Sequence, residues 1–305
     1  MRWFALVAVF ALAGSLIGQD KTQPTAEKQT FALQLKGKEG DEYFIHSRVK
    51  QVIDWLSCGK TRIEQEFIWH IKVEKVTEDG NIHSKWKALL LKSKHDHSAS
   101  DRGYFDSEKG KAKNIPHDEV AWFNELIEKG VKVETTKTGK VVSGAVNGIP
   151  SLEFLPEKPV KVGDSWMVEQ SGGSQQQVKM VFRCTLKEVK VADGNKMAVI
   201  ELELLKLKLN FPIEGKIDAK GKGTILFNID KGMAIKHDLT VRLTFSITNQ
   251  RTGEVVKTVT DIKENSEVLK EKPKCNPKKA KPITDDGADA PSPAPKKKPK
   301  PQKYK

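Results

Sequence analysis

Signatures of cofactor binding and catalysis are missing from this chain. It has no Gly-rich phosphate loop, no nucleophile elbow and no zinc-protease helix, which excludes the nucleotide, acyl-transfer and metalloprotease chemistries that carry those motifs. The acidic residues fall mostly on outward strand positions and in turns, and no cofactor is expected. Cysteine is scarce as well: Cys58, Cys184 and Cys275 are too few to staple 305 residues into a disulfide framework. Beyond Ile17 no apolar run approaches the roughly 20 residues that a membrane-spanning helix needs. Helical periodicity is rare too, and only one stretch carries it convincingly.

What is present begins with Arg2 and the apolar run Trp3 to Ile17, which is too short to span a bilayer and has the layout of a signal peptide. Ala11-Leu12-Ala13 fits a small-x-small cleavage rule but leaves a short apolar core, while a cut after Gly18 puts Leu16 at an unfavourable position. The expected division is a signal peptide at 1–18 and a flexible lead at 19–30, giving an exported protein, periplasmic or extracellular, with no transmembrane segment in its mature form. An uncleaved anchor is the competing reading. The region has no Cys, so a lipid-anchored lipoprotein is not expected.

Charge is uneven. From Lys272 to Lys305 there are eleven Lys and three Asp, or +8 of the formal +13, together with eight of the fourteen prolines. Such a segment cannot bury enough apolar surface to offset its ordering entropy, so 271–305 is expected to be a disordered basic tail. Export makes one disulfide feasible. Cys184 alternates with Val178, Met180, Phe182 and Leu186 and so points into a core, which leaves Cys58 and Cys275 as the preferred pair. The alternative is three thiols that are free or paired between molecules.

The middle of the chain alternates at period two, the mark of half-buried strands. Phe31 to Leu35 opens the pattern. Tyr43, Ile45 and Val49 share one strand face, and Phe67, Trp69, Ile71 and Val73 share the next. A two-residue turn at Asp79-Gly80 sets Val73 opposite Trp86, Ile71 opposite Ala88 and Trp69 opposite Leu90. Asp118 to Lys129 is the one helix: Val120, Phe123, Leu126 and Ile127 fall on one side, and Gly130 stops it. Asp118 and Glu119 at its start are expected to cap it and to favour its dipole. In the second half, a three-residue loop at Asp193-Gly194-Asn195 sets Leu186 opposite Leu202, Cys184 opposite Leu204 and Lys187 opposite Glu201, with a bulge between Leu186 and Val189. Clean alternation then runs through Leu239, Val241, Leu243, Phe245 and Ile247.

The halves echo one another. Gly40-Asp41, Asp79-Gly80 and Lys109-Gly110 recur in the same order as Gly163-Asp164, Asp193-Gly194 and Lys231-Gly232. The expected fold is therefore mainly β (α+β). One β-rich domain, 31–270, would form a large curved antiparallel sheet or open half-barrel from two loosely repeated meander halves, about 31–115 and 159–270, with a helix packed near 118–129.

Pro159-Val160-Lys161-Val162-Gly163-Asp164-Ser165-Trp166, Lys220-Gly221-Lys222-Gly223-Thr224 and Phe227-Asn228-Ile229-Asp230-Lys231-Gly232 give the chain a further feature: over about 30–270 it resembles a family of uncharacterised exported bacterial proteins abundant in planctomycetes. The resemblance implies export and a β-rich fold, and it brings no activity and no functional residues.

Three functional readings are open. The first is a non-enzymatic envelope protein that binds a lipid or other apolar molecule in the concave face of the sheet, with Trp69, Trp86, Phe182 and Phe245 lining it; an ordinary filled core would account for the same residues. The second is a structural or interaction protein held to anionic cell-envelope polymers by Lys296, Lys297, Lys298 and Lys300. Nucleic acid is not an expected partner, because the tail has no Arg and only Tyr304 for stacking. The third is an enzyme whose residues are assembled from distant parts of the chain. His95 and His97, about 6–7 Å apart on one face of an extended segment and near Asp101, have metal-ligand character but no third strong ligand at a diagnostic spacing, so no metal site is assigned.

Overall fold

The alternating pattern becomes one sheet. The computed structural model describes residues 29–55, 59–98, 102–144, 153–172, 178–209, 215–248 and 255–282. In chain order the strands are β1 (Glu42–Trp55), β2 (Gly59–Val76), β3 (Ile82–His97), β4 (Gly103–Asp106) and β5 (Lys111–Lys113). The helix α1 (His117–Glu128) and the hairpin β6 (Val131–Thr135) and β7 (Val141–Ser143) follow. The second run is β8 (Ser165–Gly172), β9 (Val178–Ala192), β10 (Asn195–Leu209), β11 (Gly215–Asn228), β12 (Met233–Thr248), β13 (Val255–Val268) and the short β14 (Lys281–Pro282).

Their lateral order is β14-β5-β4-β3-β2-β1-β13-β12-β11-β10-β9-β8, antiparallel except for the β14–β5 pair, and not closed into a barrel. The expected large open sheet with one packed helix is therefore the fold. Strands β1 to β5 and β8 to β12 have the same neighbour order, and β13 lies between the two runs. The turns leading into the two runs match in detail. Gly40 and Gly163 have φ of 88° and 93°, and Asp41 and Asp164 each accept a 2.8 Å bond from a backbone N–H three residues earlier. Gly40 N donates to Val73 O as Gly163 N donates to Leu186 O.

Both hairpin registers differ from the sequence expectation. Asp193 and Gly194 take φ of 51° and 73°, the two-residue primed turn, so Asn195 pairs with Ala192, Leu186 faces Ile200 and Cys184 faces Leu202. The expected bulge is present, with Lys187 as the extra residue, and its ammonium still reaches Glu201 at 3.2 Å. At Asp79-Gly80 the loop is longer than two residues. Thr77 Oγ1 accepts the Asn81 N–H at 3.0 Å and the two backbones pair, so only Gly80 is left-handed, and a bulge at Glu74 then brings Ile71 opposite Trp86 and Trp69 opposite Ala88.

One face of the sheet, the inner face, carries two filled cores. The first core packs Trp69, Phe67, Leu91 and Phe105 against α1 through Val120, Phe123, Leu126 and Ile127. The second packs Phe182, Leu186, Ile200, Leu202 and Phe227 against three crossing pieces that contribute Phe31, Leu33, Phe154, Leu155 and Val160. Phe31 to Leu35 is thus a plug across the sheet and not a ladder strand, held by an isolated bridge to Val160 and by Leu35 N donating to Lys137 O. Each large side chain so buried contributes about 1.5–3 kcal/mol. Gly223 faces this core at a close backbone approach: a Cβ there would lie 2.5 Å from Asp238 O and 3.1 Å from Leu239 Cδ1.

Two boundaries shift. No side chain caps α1, and Glu119, expected to cap, turns instead to His95. The packed chain continues past 270 to Pro282, because Asn124 of α1 accepts the Ala280 N–H at 2.9 Å and donates to Ala280 O at 3.0 Å, clamping the segment beside β5. Residues 283–305 of the expected tail, with Lys296, Lys297, Lys298 and Lys300, lie outside the described residues, as do residues 1–28 with the expected signal peptide.

Candidate functional site

The four aromatic residues expected to line one ligand face do not meet. Trp69 and Trp86 touch edge to face, their ring centroids 6.2 Å apart, inside the core under α1. Phe182 packs edge to face on Phe154 in the other core, and Phe245 is half-buried and belongs to neither. Cys184 is buried in that second core, where desolvation pushes its thiol up to about 12. Cys275 is a half-buried free thiol and Cys58 lies outside the described residues. His95 accepts or donates a 3.0 Å bond with Ser93 Oγ and lies 3.5 Å from Glu119 Oε1, whereas Asp96 points to the outer face toward Arg102. Among the described residues no group of three or more His, Cys, Asp or Glu could hold a metal ion; Asp101 lies outside them.

Two features of the inner face stand apart from its cores. The first is a block of apolar side chains on the middle strands, interleaved with Gln51, Gln65, Thr260 and Glu264. Register places Val49, Gln51 and Ile53 of β1 beside Glu264, Ile262 and Thr260 of β13, and these beside Leu239, Val241 and Leu243 of β12. Ile63 of β2 flanks Gln51, and Phe245 and Ile217 continue the block on β12 and β11. Val49, Ile53, Ile63, Ile217 and Phe245 are only half-buried, and among the described residues neither core reaches them.

The second feature is a polar patch bordering that block. Ser47 of β1 faces Ser266 of β13, which faces His237 of β12, while Trp69 sits diagonally from Ser47 on β2. Ser47 Oγ, Trp69 Nε1 and both ring nitrogens of His237 are buried without a hydrogen-bond partner. Glu264, two residues along β13 from Ser266, brings Oε1 to 3.9 Å from His237 Nδ1. Burial pushes the His237 imidazole down to about 4 against a small opposing pull from Asp238, and burial pushes the Glu264 carboxyl up to about 7. Phe154 covers one face of the imidazole, with ring centroids 5.6 Å apart. Beside Ser266 a cavity of about 20 Å³ is bounded by Ile45, Trp86, Ala234 and Val268, room for about one water.

The sequence reading missed Ser47, His237 and Glu264: Ser47 sits inward between Ile45 and Val49 and His237 next to Leu239, whereas Glu264 lies on a strand whose inward positions also carry Thr258, Thr260 and Ser266. By contrast the outer face is self-satisfied. A depression of about 470 Å³ over β9 to β12 has charged walls that pair locally, Arg183 with Glu203 and Glu201 with Lys187, and Arg242 grips Asp261 at 2.7 Å.

No protein-family model matches the chain, and no curated protein matches it. Among solved structures, one described as "Lipid-protein interactions in lipovitellin" is similar at a TM-score of 0.46 and 9% identity, over 82% of this chain and 26% of that one. The chain thus spans about a quarter of that protein's length. Among the described residues no helix is long and apolar enough to cross a membrane.

Proposed function

We propose that this is a non-enzymatic, exported envelope protein that holds the hydrocarbon part of a lipid or similar molecule against the inner face of its sheet. The half-buried side chains of Val49, Ile53, Ile63, Ile217 and Phe245 support this reading, because they are apolar, take inward positions on the middle strands and belong to neither core. Apolar side chains left only partly covered on a sheet face offer a surface to an apolar partner. The ligand sits on the sheet beside the filled cores, so Trp69, Trp86 and Phe182 act as its supports and Phe245 touches it.

The test is binding of N-phenyl-1-naphthylamine, an apolar fluorescent probe, to the full chain. Wild-type protein should bind it, and Phe245→Arg or Ile63→Arg should weaken binding by about tenfold or more, equivalent to about 1.4 kcal/mol. Met167→Glu, at an exposed site on β8, should leave binding unchanged. Absence of binding, or equal binding by all four proteins with unchanged thermal unfolding, would refute the reading.

A further inference from the structure

Strand acids of the outer face are paired: Asp261 with Arg242, Glu203 with Arg183, Glu201 with Lys187 and Glu66 with Arg48. Glu264 of β13 points to the inner face and is not. It lies in the row Gln65, Val49, Glu264 and Leu239, contributed by β2, β1, β13 and β12, and none of its row neighbours is ionisable. His237 is the titratable group that faces it, and the 3.9 Å from Nδ1 to Oε1 is too long for a hydrogen bond. Among the described residues no Lys or Arg pairs with this carboxyl and no hydrogen bond reaches it. The carboxyl is nonetheless accessible. Its side chain is 23% exposed, and Gln65, Val49 and Leu239 beside it are half-buried too, so the face is open here, unlike at Ser47, Trp69 and His237.

A carboxylate partly withdrawn from water and given no donor is unfavourable. It is neutralised either by a proton, which is why burial raises this carboxyl to about 7, or by a cation brought to it. The surroundings select the cation. A metal ion needs further ligands, and among the described residues no group of three or more His, Cys, Asp or Glu could supply them. A carboxylate or phosphate head would be repelled. A hydroxyl head donates one hydrogen bond but leaves the charge standing, and a quaternary ammonium carries the charge without an N–H. A primary ammonium supplies both charge and donors. Ile53 of β1 and Leu243 of β12 share a row four residues, about 13 Å, further along the strands, with Phe245 beyond it. An apolar path therefore begins at the acid.

We propose that Glu264 receives the head group of a single-chain amphiphile with a primary ammonium, whose hydrocarbon lies along Val49, Ile53, Leu243 and Phe245. This deepens the apolar-ligand reading and depends on it. The ammonium stays on the solvent side of the face and donates to the carboxylate, while the chain covers the half-buried Val49, Ile53 and Phe245. The formal net charge of +13 opposes any diffuse attraction for cations, so a preference for an amine reports a local acid.

The experiment compares decylamine, protonated throughout the pH range used, with 1-decanol, the same chain with an uncharged head, as competitors of N-phenyl-1-naphthylamine on the full chain. At pH 8, where Glu264 is ionised, decylammonium should compete at least about tenfold more strongly than decanol, the effect of one hydrogen bond to a charged group. The preference should shrink as pH falls through about 7 and be lost by about pH 5, because the carboxyl is then protonated while His237 stays neutral. Glu264→Gln should remove the preference at pH 8 and leave decanol competition and probe binding unchanged. Equal competition by amine and alcohol at pH 8, a preference that does not fall with pH, or one that survives in a folded Glu264→Gln variant would overturn the ammonium site and leave the apolar-ligand reading standing. Failure of both competitors to displace a bound probe would also overturn the ammonium site. Failure of the probe itself to bind would overturn both.

Discussion

His237 and Glu264 make a pair of opposed pH responses that two single substitutions should separate. The buried imidazole titrates at about 4 against an ordinary 6.5. An unfolded chain therefore takes up this proton before the folded one does, and the stability His237 contributes, complete above pH 6.5, is lost as pH falls to 4. The gap is worth about 3 kcal/mol at 1.36 kcal/mol per pH unit. Glu264 runs the other way. Its carboxyl is raised from 4.5 to about 7, so its contribution is complete below pH 4.5 and is lost as pH rises through 7, again about 3 kcal/mol. Between pH 4.5 and 6.5 the two slopes cancel. Urea unfolding followed by tryptophan fluorescence, at steps from pH 4 to 7.5, measures this. With the profile of the His237→Leu, Glu264→Gln double variant subtracted to remove other titrating groups, Glu264→Gln alone should gain about 3 kcal/mol from pH 4 to 6.5. His237→Leu alone should lose about as much from 4.5 to 7. Parallel profiles for the two single variants would show that the groups are not desolvated as the structure places them, and would refute the reasoning.

Other consequences are local. Gly223→Ala should destabilise the protein by about 1–3 kcal/mol in thermal unfolding, because its Cβ meets the Asp238 carbonyl, which belongs to a paired backbone and cannot move aside. Asn124→Ala leaves the Ala280 N–H and C=O without their partners and should cost about 1–3 kcal/mol, with faster proteolytic cutting between 270 and 282 as the direct readout. Asp41→Ala and Asp164→Ala remove the same backbone bond from matching turns and should each cost about 0.5–1.5 kcal/mol. Only Asp41→Ala should also bring the Tyr43 phenol down from about 12, read by ultraviolet titration, since burial and the 2.9 Å bond to Asp41 hold it there.

Period-two alternation made the sheet legible and the spacing of Val120, Phe123, Leu126 and Ile127 the helix, because burial on one face of an element writes itself directly into sequence. Turn length was not legible. Asp-Gly occurs in both hairpins, and what separates them is Thr77, whose hydroxyl captures the Asn81 N–H and lengthens the first loop; the second lacks such a group and closes in two residues. The plugs were hidden for a different reason. Phe31 to Leu35 alternates like a strand, yet it covers the sheet instead of extending it, and Phe154 and Leu155 look like a connector while filling a core. The expected ligand lining failed because inward aromatics carry no record of which core they join. Ser47, His237 and Glu264 were readable in principle, as polar residues at inward parity, but only strand pairing shows that β1, β13 and β12 bring Ser47, Ser266 and His237 into one row with Glu264 in the next.

The most direct test of an apolar-ligand function is native mass spectrometry of the protein after gentle extraction from the cells that produce it. The account predicts a population carrying one lipid-sized adduct, which Phe245→Arg loses without losing its fold. Bare protein as the sole species in both samples, under conditions that preserve lipid adducts on a control protein, would contradict it.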